Sequence, residues 1–492
     1  MPLHGAPTLI EYRHMTENFK MRTSAAFAAF TGLVLRLLFV FKFPMTGTGD
    51  APFYIELAWN WLKNGVYGLS VNGHLTPSDM RTPGYPAFLA AVFTFAGDSP
   101  RAVMLAQVFV DLATCFLIAL LAARLAPERS RPRVALAGLW LAALCPFTAN
   151  YTAVILTESL ATFFTALAIL LLFETPAGAA EVRAGVPPPP GSNLSRWFLA
   201  GIIVGFGTLV RPETPLVLLA AGLVLIAKWR RPRDWPQLLR AGLLMGAGLL
   251  VPLAPWAARN ARTLHEVQFL APGEAVMGSD ETAVGVDMWT RTWLWRYRDV
   301  YLFPWKLEDE PISIGDLPPY AFDSPEEHAR IAQLLDQYND ALDVDPALDN
   351  QFREIARERT ARHPLRTYVE IPLLRALAVW FTPRTELLPY SSPIFPLRDE
   401  WENNRPDLRV SAGFAAVNCF YVGLGLAGAW LARRRPGWAL FIAVILVRTI
   451  FFAAVVDTPE PRYMLECYPA VIAFAAQVFA SGGRQLSSTG SG

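Results

Sequence analysis

Ten apolar runs joined by short polar stretches dominate the chain, at about 24–43, 101–125, 134–150, 152–174, 197–210, 213–229, 238–256, 410–432, 437–456 and 463–480. A continuous helix needs roughly 20 apolar residues to cross the hydrocarbon of a bilayer, and the shorter runs sit below that length. The pattern predicts an all-α membrane protein with about ten transmembrane helices. Two further apolar pieces, 84–97 and 368–382, are short and proline-flanked, and read as interfacial or re-entrant helices. The first run follows a polar stretch ending in Lys20 and Arg22 and has no small-residue cleavage signal after it, so it is expected to be an uncleaved anchor.

The joints carry the orientation signal. Arg124, Arg129, Arg131 and Arg133 form one basic cluster, Lys228, Arg230, Arg231 and Arg233 a second, and Arg433, Arg434 and Arg435 a third. Ten spans starting from a cytoplasmic N-terminus put all three on the cytoplasmic side, with the C-terminus there too. Two large segments are then left outside, 44–100 and 257–409. The expected division is an N-terminal transmembrane module 1–256 that includes outer loop 44–100, an extracytoplasmic subdomain 257–409 of mixed structure, C-terminal transmembrane helices 410–480 and a polar tail 481–492.

In the first outer segment Tyr54, Leu57, Ala58, Trp61 and Leu62 recur at helical spacing, with Glu56, Asn60 and Lys63 off that stripe, which predicts an amphipathic helix lying on the membrane surface. The second outer segment opens on Trp289, Trp293, Trp295, Tyr297, Tyr301 and Trp305. Aromatics this dense read first as an interfacial belt and second as faces that pack on sugar rings. Ser324-Pro325-Glu326-Glu327 is a capping box that starts a helix with Ile331, Leu334, Leu335 and Tyr338 on one face, and a second helix over 350–362 carries Phe352 and Ile355. Pro187-Pro188-Pro189-Pro190-Gly191-Ser192 reads as a stiff cytoplasmic linker.

Composition agrees with the pattern. Of 492 residues, 53% are hydrophobic and 17% charged, against roughly 25% charged in soluble domains. The net charge of +1 comes with no sustained basic face, which excludes a nucleic-acid partner. Cys115, Cys145, Cys419 and Cys467 make no ligand spacing and are expected to be buried apolar side chains.

Ionisable residues at the edges of apolar runs are costly and therefore candidates for function. Asp50, Arg81, Glu158, Arg211, Glu213, Arg259, Glu460 and Arg462 all fall near the predicted outer ends, whereas Arg36, Asp111 and Arg448 lie deeper and read as ion pairs that hold the bundle. Carboxylates and guanidinium groups beside a lipid suit group transfer from a lipid phosphate. Such a leaving group is a weak base that needs cations to absorb its charge, while an attacking hydroxyl needs only one positioned carboxylate to take its proton. Glycosidases need two carboxyl groups across the bond, so one base with arginines favours transfer over hydrolysis.

Seven short motifs carry a family likeness: Gly49-Asp50-x-x-x-Tyr54, Arg81-Thr82-Pro83-Gly84-Tyr85-Pro86, Ile155-Leu156-Thr157-Glu158, Leu209-Val210-Arg211-Pro212, Trp256-x-x-Arg259-Asn260, Arg362-His363-Pro364-Leu365-x-x-Tyr368 and Glu460-Pro461-Arg462-Tyr463. In order and spacing the chain resembles the type C glycosyltransferases that use polyprenyl-phosphate sugars, in the branch of protein O-mannosyltransferases and lipid A aminoarabinose transferases. The resemblance implies an inverting transferase of the plasma membrane with its site on the extracytoplasmic side. It implies a polyprenyl-phosphate-sugar donor and a glycan, lipid or protein acceptor.

By the same resemblance Asp50 is the catalytic base or orients the acceptor, and Arg81 and Arg462 contact the lipid phosphate. Glu158 contacts sugar or acceptor, and Tyr54, Arg211 and Arg259 are further substrate contacts. Members often carry a second acidic residue after the first, and here that position is Ala51, which argues against a metal at Asp50. No cofactor is expected, with a divalent metal left open. Simpler structural roles stand beside these: Asp50 as a helix N-cap, Arg81 and Arg462 as headgroup anchors, and Glu158 clamped to Arg211. The competing function is a lipid-linked-sugar flippase or transporter, which inverted repeats and matched broken spans would mark, and a third is a non-catalytic assembly or anchoring protein.

Overall fold

In a computed structural model the described residues are 9–47, 49–173, 192–271, 283–307, 310–390, 394–395 and 397–481. The proline linker 187–191 and the tail 482–492 lie outside them. The described residues are 77% helical, as expected of an all-α membrane protein. Among the described residues five helices are long and apolar enough to cross a membrane: Lys20–Lys42, Pro100–Leu125, Pro232–Thr263, Arg405–Ala432 and Pro461–Ala480. The pair Glu128–Ala143 and Pro146–Ala153, bent by 45°, makes a sixth if counted as one broken span.

The other four expected spans are helical but short: Glu158–Leu172, Leu194–Val210, Leu216–Lys228 and Trp438–Ala454. At 1.5 Å per residue they reach about 20–26 Å, less than the roughly 30 Å of a hydrocarbon core. Proline sets two of these limits. The helix ending at Val210 stops where Pro212 bars its predecessor Arg211 from continuing the helix, and the next resumes only after Pro215.

Contacts place the three basic clusters at one end of the bundle. Leu125, Phe173, Leu225 and Ala432 all border this end, and Leu125, Phe173 and Ala432 share one apolar cluster with Leu440. The Arg124 guanidinium donates to the Leu170 carbonyl at 2.6 Å. The opposite ends of the same helices gather Asp50, Glu158, Arg211 and Arg462. Deep between them, Arg36 (0% exposed) donates to Asp111 at 2.6 Å and also to the carbonyls of Gly32, Ala143 and Ala142. Arg448 donates to Glu466 at 2.5 Å. Cys115, Cys145 and Cys467 are buried, but Cys419 is exposed on the outer face of its helix.

The first outer segment differs from its expected form. Ala51–Asn64 is helical, but it packs on the Gly84–Ala96 helix through Tyr54 and Ala58, with Trp59 stacked on Phe93 at 4.8 Å, while Leu57 packs with Tyr67 and Trp256. Trp61 and Leu62 stay exposed. Its polar face grips a hairpin: Glu56 accepts from the Ser70 amide at 2.7 Å, and Asn60 donates to Gly68 at 2.9 Å. That hairpin, Gly68–Val71 with His74–Pro77, is the sole sheet among the described residues. Its turn is Asn72-Gly73, both with positive φ, which is the two-residue hairpin signature.

In the second outer segment Ser324 caps the helix, with the Glu327 amide donating to its Oγ at 3.2 Å, while the Glu327 carboxylate turns to Arg359 and Arg362 instead of closing the box, and Ile331, Leu334, Leu335 and Tyr338 are buried. The aromatic cluster does not form one belt. Trp289 and Trp293 are fully interior, packed with Phe303 and Phe352 in the core of this segment, because helices this polar on one side need large apolar side chains to close a core. Tyr297, Tyr301 and Trp305 are left on its margin. The Ile371–Phe381 helix buries Val379 against Phe452 and Met464 and leaves Leu373, Leu377 and Phe381 exposed on its other face. Asp457 ties this segment to the bundle by pairing with Arg291 at 2.5 Å and with the buried Arg375.

Candidate active site

Asp50 occupies the position before the Ala51–Asn64 helix, yet its side chain makes no capping bond. Instead Oδ1 accepts from Arg81 Nη2 at 2.9 Å, with the Arg81 side chain 14% and the Asp50 side chain 35% exposed. A second Arg81 nitrogen donates to the Met80 carbonyl, and the Tyr67 hydroxyl holds the Arg81 carbonyl at 2.8 Å. The sequence motif explains the rigidity of this arm. A Cβ on Gly84 would run into the Leu209 carbonyl, so only glycine lets Arg81-Thr82-Pro83-Gly84 lie on Leu209-Val210-Arg211-Pro212. Gly84→Ala is expected to cost about 1–3 kcal/mol through this overlap, read as a lower thermal midpoint of the purified chain.

Tyr54 joins the two motif pairs. It packs edge-on to Tyr85 at 5.0 Å, and burial, then the Asp50 charge, pushes its hydroxyl well up, with Arg81, Glu158 and Arg211 also in electrostatic reach. Tyr85 in turn donates to Gln107 at 2.7 Å, and Gln107 donates to the Val154 carbonyl at 2.7 Å. The Met45 amide donates to Ala153 at 2.9 Å. The first outer segment and the Ile155-Leu156-Thr157-Glu158 motif are thereby fixed to each other. Gln107, which sequence reasoning missed, is fully buried within an apolar run, and that placement is the signal that marked it.

Glu158 and Arg211 form a buried pair at 2.9 Å, so the clamp expected of them exists. Arg211 also lies 3.6 Å from both Glu213 and Glu466 and over the Tyr463 ring at 5.3 Å. Glu466 was likewise missed, although a carboxylate in the run 463–480 was visible in the sequence. Arg259 is engaged elsewhere: it donates to the carbonyls of Tyr67 and Ser78 and sits over the Tyr67 and Trp256 rings, securing the hairpin arm.

Arg462 pairs with Glu460 and lies over Trp305 at 5.6 Å. Both residues line a partly open cleft with Gly49, Tyr151, Tyr297, Tyr301, Trp305 and Glu386. Gly49, the residue before Asp50, is in its wall, whereas Asp50 and Arg81 themselves are not among the residues lining it. Burial holds the Glu460 carboxyl above the usual carboxylate range despite the Arg462 charge. Among the described residues no group of three His, Cys, Asp or Glu side chains is placed to hold a metal ion.

Residues 80–257 match the family model of dolichyl-phosphate-mannose-protein mannosyltransferases. A comparison with curated proteins returns no match. Among solved structures, the chain is similar to an Archaeoglobus fulgidus oligosaccharyltransferase complexed with zinc and sulfate, at 14% identity and a TM-score of 0.47, over 92% of this chain and 48% of that one. It is also similar to the same enzyme tethered to an acceptor peptide containing the NVT sequon, at 13% identity and a TM-score of 0.48, over 94% and 49%. The chain thus spans about half the length of the solved structures it matches. The matched stretch 80–257 holds Arg81, Glu158 and Arg211 and the motifs around them.

Proposed function

We propose that this chain transfers a single sugar from a polyprenyl-phosphate donor to a hydroxyl or amine of a glycan, lipid or protein acceptor, at the outer face of the plasma membrane. The observation that carries the reading is the 2.9 Å contact between Asp50 and Arg81, a proton acceptor and a phosphate-binding cation held side by side. The pair stands at the end of the bundle opposite the basic clusters, which the positive-inside rule assigns to the cytoplasm. The matching family is named for a polyprenyl monophosphate carrying a hexose, which supports that donor class.

In this reaction the acceptor oxygen attacks the anomeric carbon as the bond to the phosphate oxygen breaks. The acceptor proton passes to Asp50, and the bonding pair leaves with the polyprenyl phosphate, whose charge Arg81 and Arg462 absorb. One displacement inverts the anomeric centre. Tyr54, Glu158 and Arg211 shape the floor behind the pair, and Arg259 acts by fixing the hairpin that carries Arg81. The division at 256, 409 and 480 is retained, with the acceptor pocket in 257–409.

Purified chain in lipid nanodiscs, given a radiolabelled polyprenyl-phosphate hexose and cell-envelope acceptors, should release polyprenyl phosphate only when a glycosylated product forms. Arg81→Gln should raise the donor KM and lower kcat/KM by about tenfold to a hundredfold, since charge-assisted phosphate bonds are worth roughly 1.5–3 kcal/mol. Movement of intact donor across the bilayer without any glycosylated product would overturn the proposal.

A further inference from the structure

We propose that the cleft walled by Gly49, Tyr301 and Trp305 is a pyranose subsite, in which Tyr301 and Trp305 stack on the apolar face of a sugar ring while Glu386 and Glu460 accept its hydroxyl hydrogens. The inference rests on the transferase reading and adds to it where the sugar sits and by what chemistry it is held.

Tyr301 and Trp305 have ring centroids 4.9 Å apart and remain 43% and 41% exposed, although Trp289 and Trp293 of the same cluster are consumed by the core. Tyr297, whose ring meets Tyr301 at 5.2 Å, and Arg462 over Trp305 line the same cleft and hold their position. Two carboxylate oxygens at the cleft are buried without a hydrogen-bond partner: Oε2 of Glu386 and Oε1 of Glu460. Glu386 accepts from the Tyr151 hydroxyl at 2.9 Å on its other oxygen and has no cation paired with it among the described residues. Glu460, 2% exposed, spends its second oxygen on Arg462.

A buried acceptor left without a donor costs free energy until a ligand supplies one. The combination selects among ligands. A lipid tail would leave both carboxylates unsatisfied, and a phosphate seated against Glu386, away from Arg462, would meet a like charge with no cation paired to it among the described residues. A neutral ring with hydroxyls on its edge and C–H bonds on its face satisfies both features at once. Gly49 in the cleft wall is the residue before Asp50, the base of the proposed transfer.

The test uses the full chain in nanodiscs and saturation-transfer NMR with methyl α-mannopyranoside as the probe. The parent should give a signal strongest for the ring protons of one face. Trp305→Ala should weaken binding by about threefold to tenfold, the range of aromatic contacts, and Trp305→Phe should recover most of it. Glu386→Ala should also weaken it, and a loss of selectivity among deoxy analogues should follow. Polyprenyl monophosphate and polyprenyl-phosphate mannose serve as competitors. Displacement by the second alone assigns the ring to the donor, and displacement by neither assigns it to an acceptor glycan, both in favour of the subsite.

Absence of any signal from the parent overturns the proposal, as does equal binding by parent and Trp305→Ala while polyprenyl monophosphate still binds. If instead the chain ignores polyprenyl monophosphate but Trp305→Ala loses the glycoside, the subsite stands and the donor assignment fails.

Discussion

Asp50→Asn is expected to lower sugar transfer by about a hundredfold to ten-thousandfold, the usual contribution of a general base, with the donor KM little changed. The substitution removes one property and keeps the rest. Asparagine has the same shape, its side-chain oxygen can still accept from Arg81 Nη2, and it serves as a helix N-cap as well as aspartate does. The bond from the Tyr54 amide to the backbone carbonyl of residue 50 is untouched. A large loss of kcat with an unchanged melting profile would therefore report the missing proton acceptor. Transfer at the parental rate would remove Asp50 from the chemistry and leave it as a partner that orients Arg81.

The second large effect lies far from the site. Asp111→Ala should destabilise the bundle by about 3–5 kcal/mol, because it strands the charge of Arg36 in an interior where nothing else can neutralise it. The three backbone carbonyls around Arg36 would still accept from it, but they supply dipoles and no compensating charge. The double variant Arg36→Met with Asp111→Leu should recover most of that loss, since an apolar pair of similar volume pays no desolvation. Thermal unfolding of the detergent-solubilised chain reads both. A single variant that melts with the parent would mean the pair is solvated or that the helices at Gly32 and Ala143 do not depend on it.

Much of the site was legible in the chain because membrane burial makes ionisable residues conspicuous. Asp50, Arg81, Glu158, Arg211 and Arg462 each interrupt or border an apolar run, and the structure gathers them at one end. The same rule flagged Arg36, Asp111 and Arg448, which pair within the bundle. Glu386 and Tyr151 escaped it. Glu386 sits in a polar stretch where a carboxylate is ordinary, and Tyr151 follows an Asn in a broken helix where an aromatic is ordinary. Only their meeting at 2.9 Å, 235 residues apart in sequence, distinguishes them.

Periodicity fixed which segments are helical, since apolar composition and proline breaks act over a few residues and need no distant partner. The cap at Ser324 and the Asn72-Gly73 turn are equally local. Periodicity did not say what each apolar face would meet. Trp61 and Trp289 are the same residue type on similar stripes, yet one ends exposed and the other at the centre of a core. Hydrophobic burial is non-directional, so the sequence sets how much apolar surface must be covered, and the packing of whole helices decides which neighbour covers it. The pairing of charges follows the same division: the chain alone supplied the carboxylates and guanidinium groups, and only the tertiary structure chose which of them stand within 3 Å, because that distance is set by segments far apart in the chain.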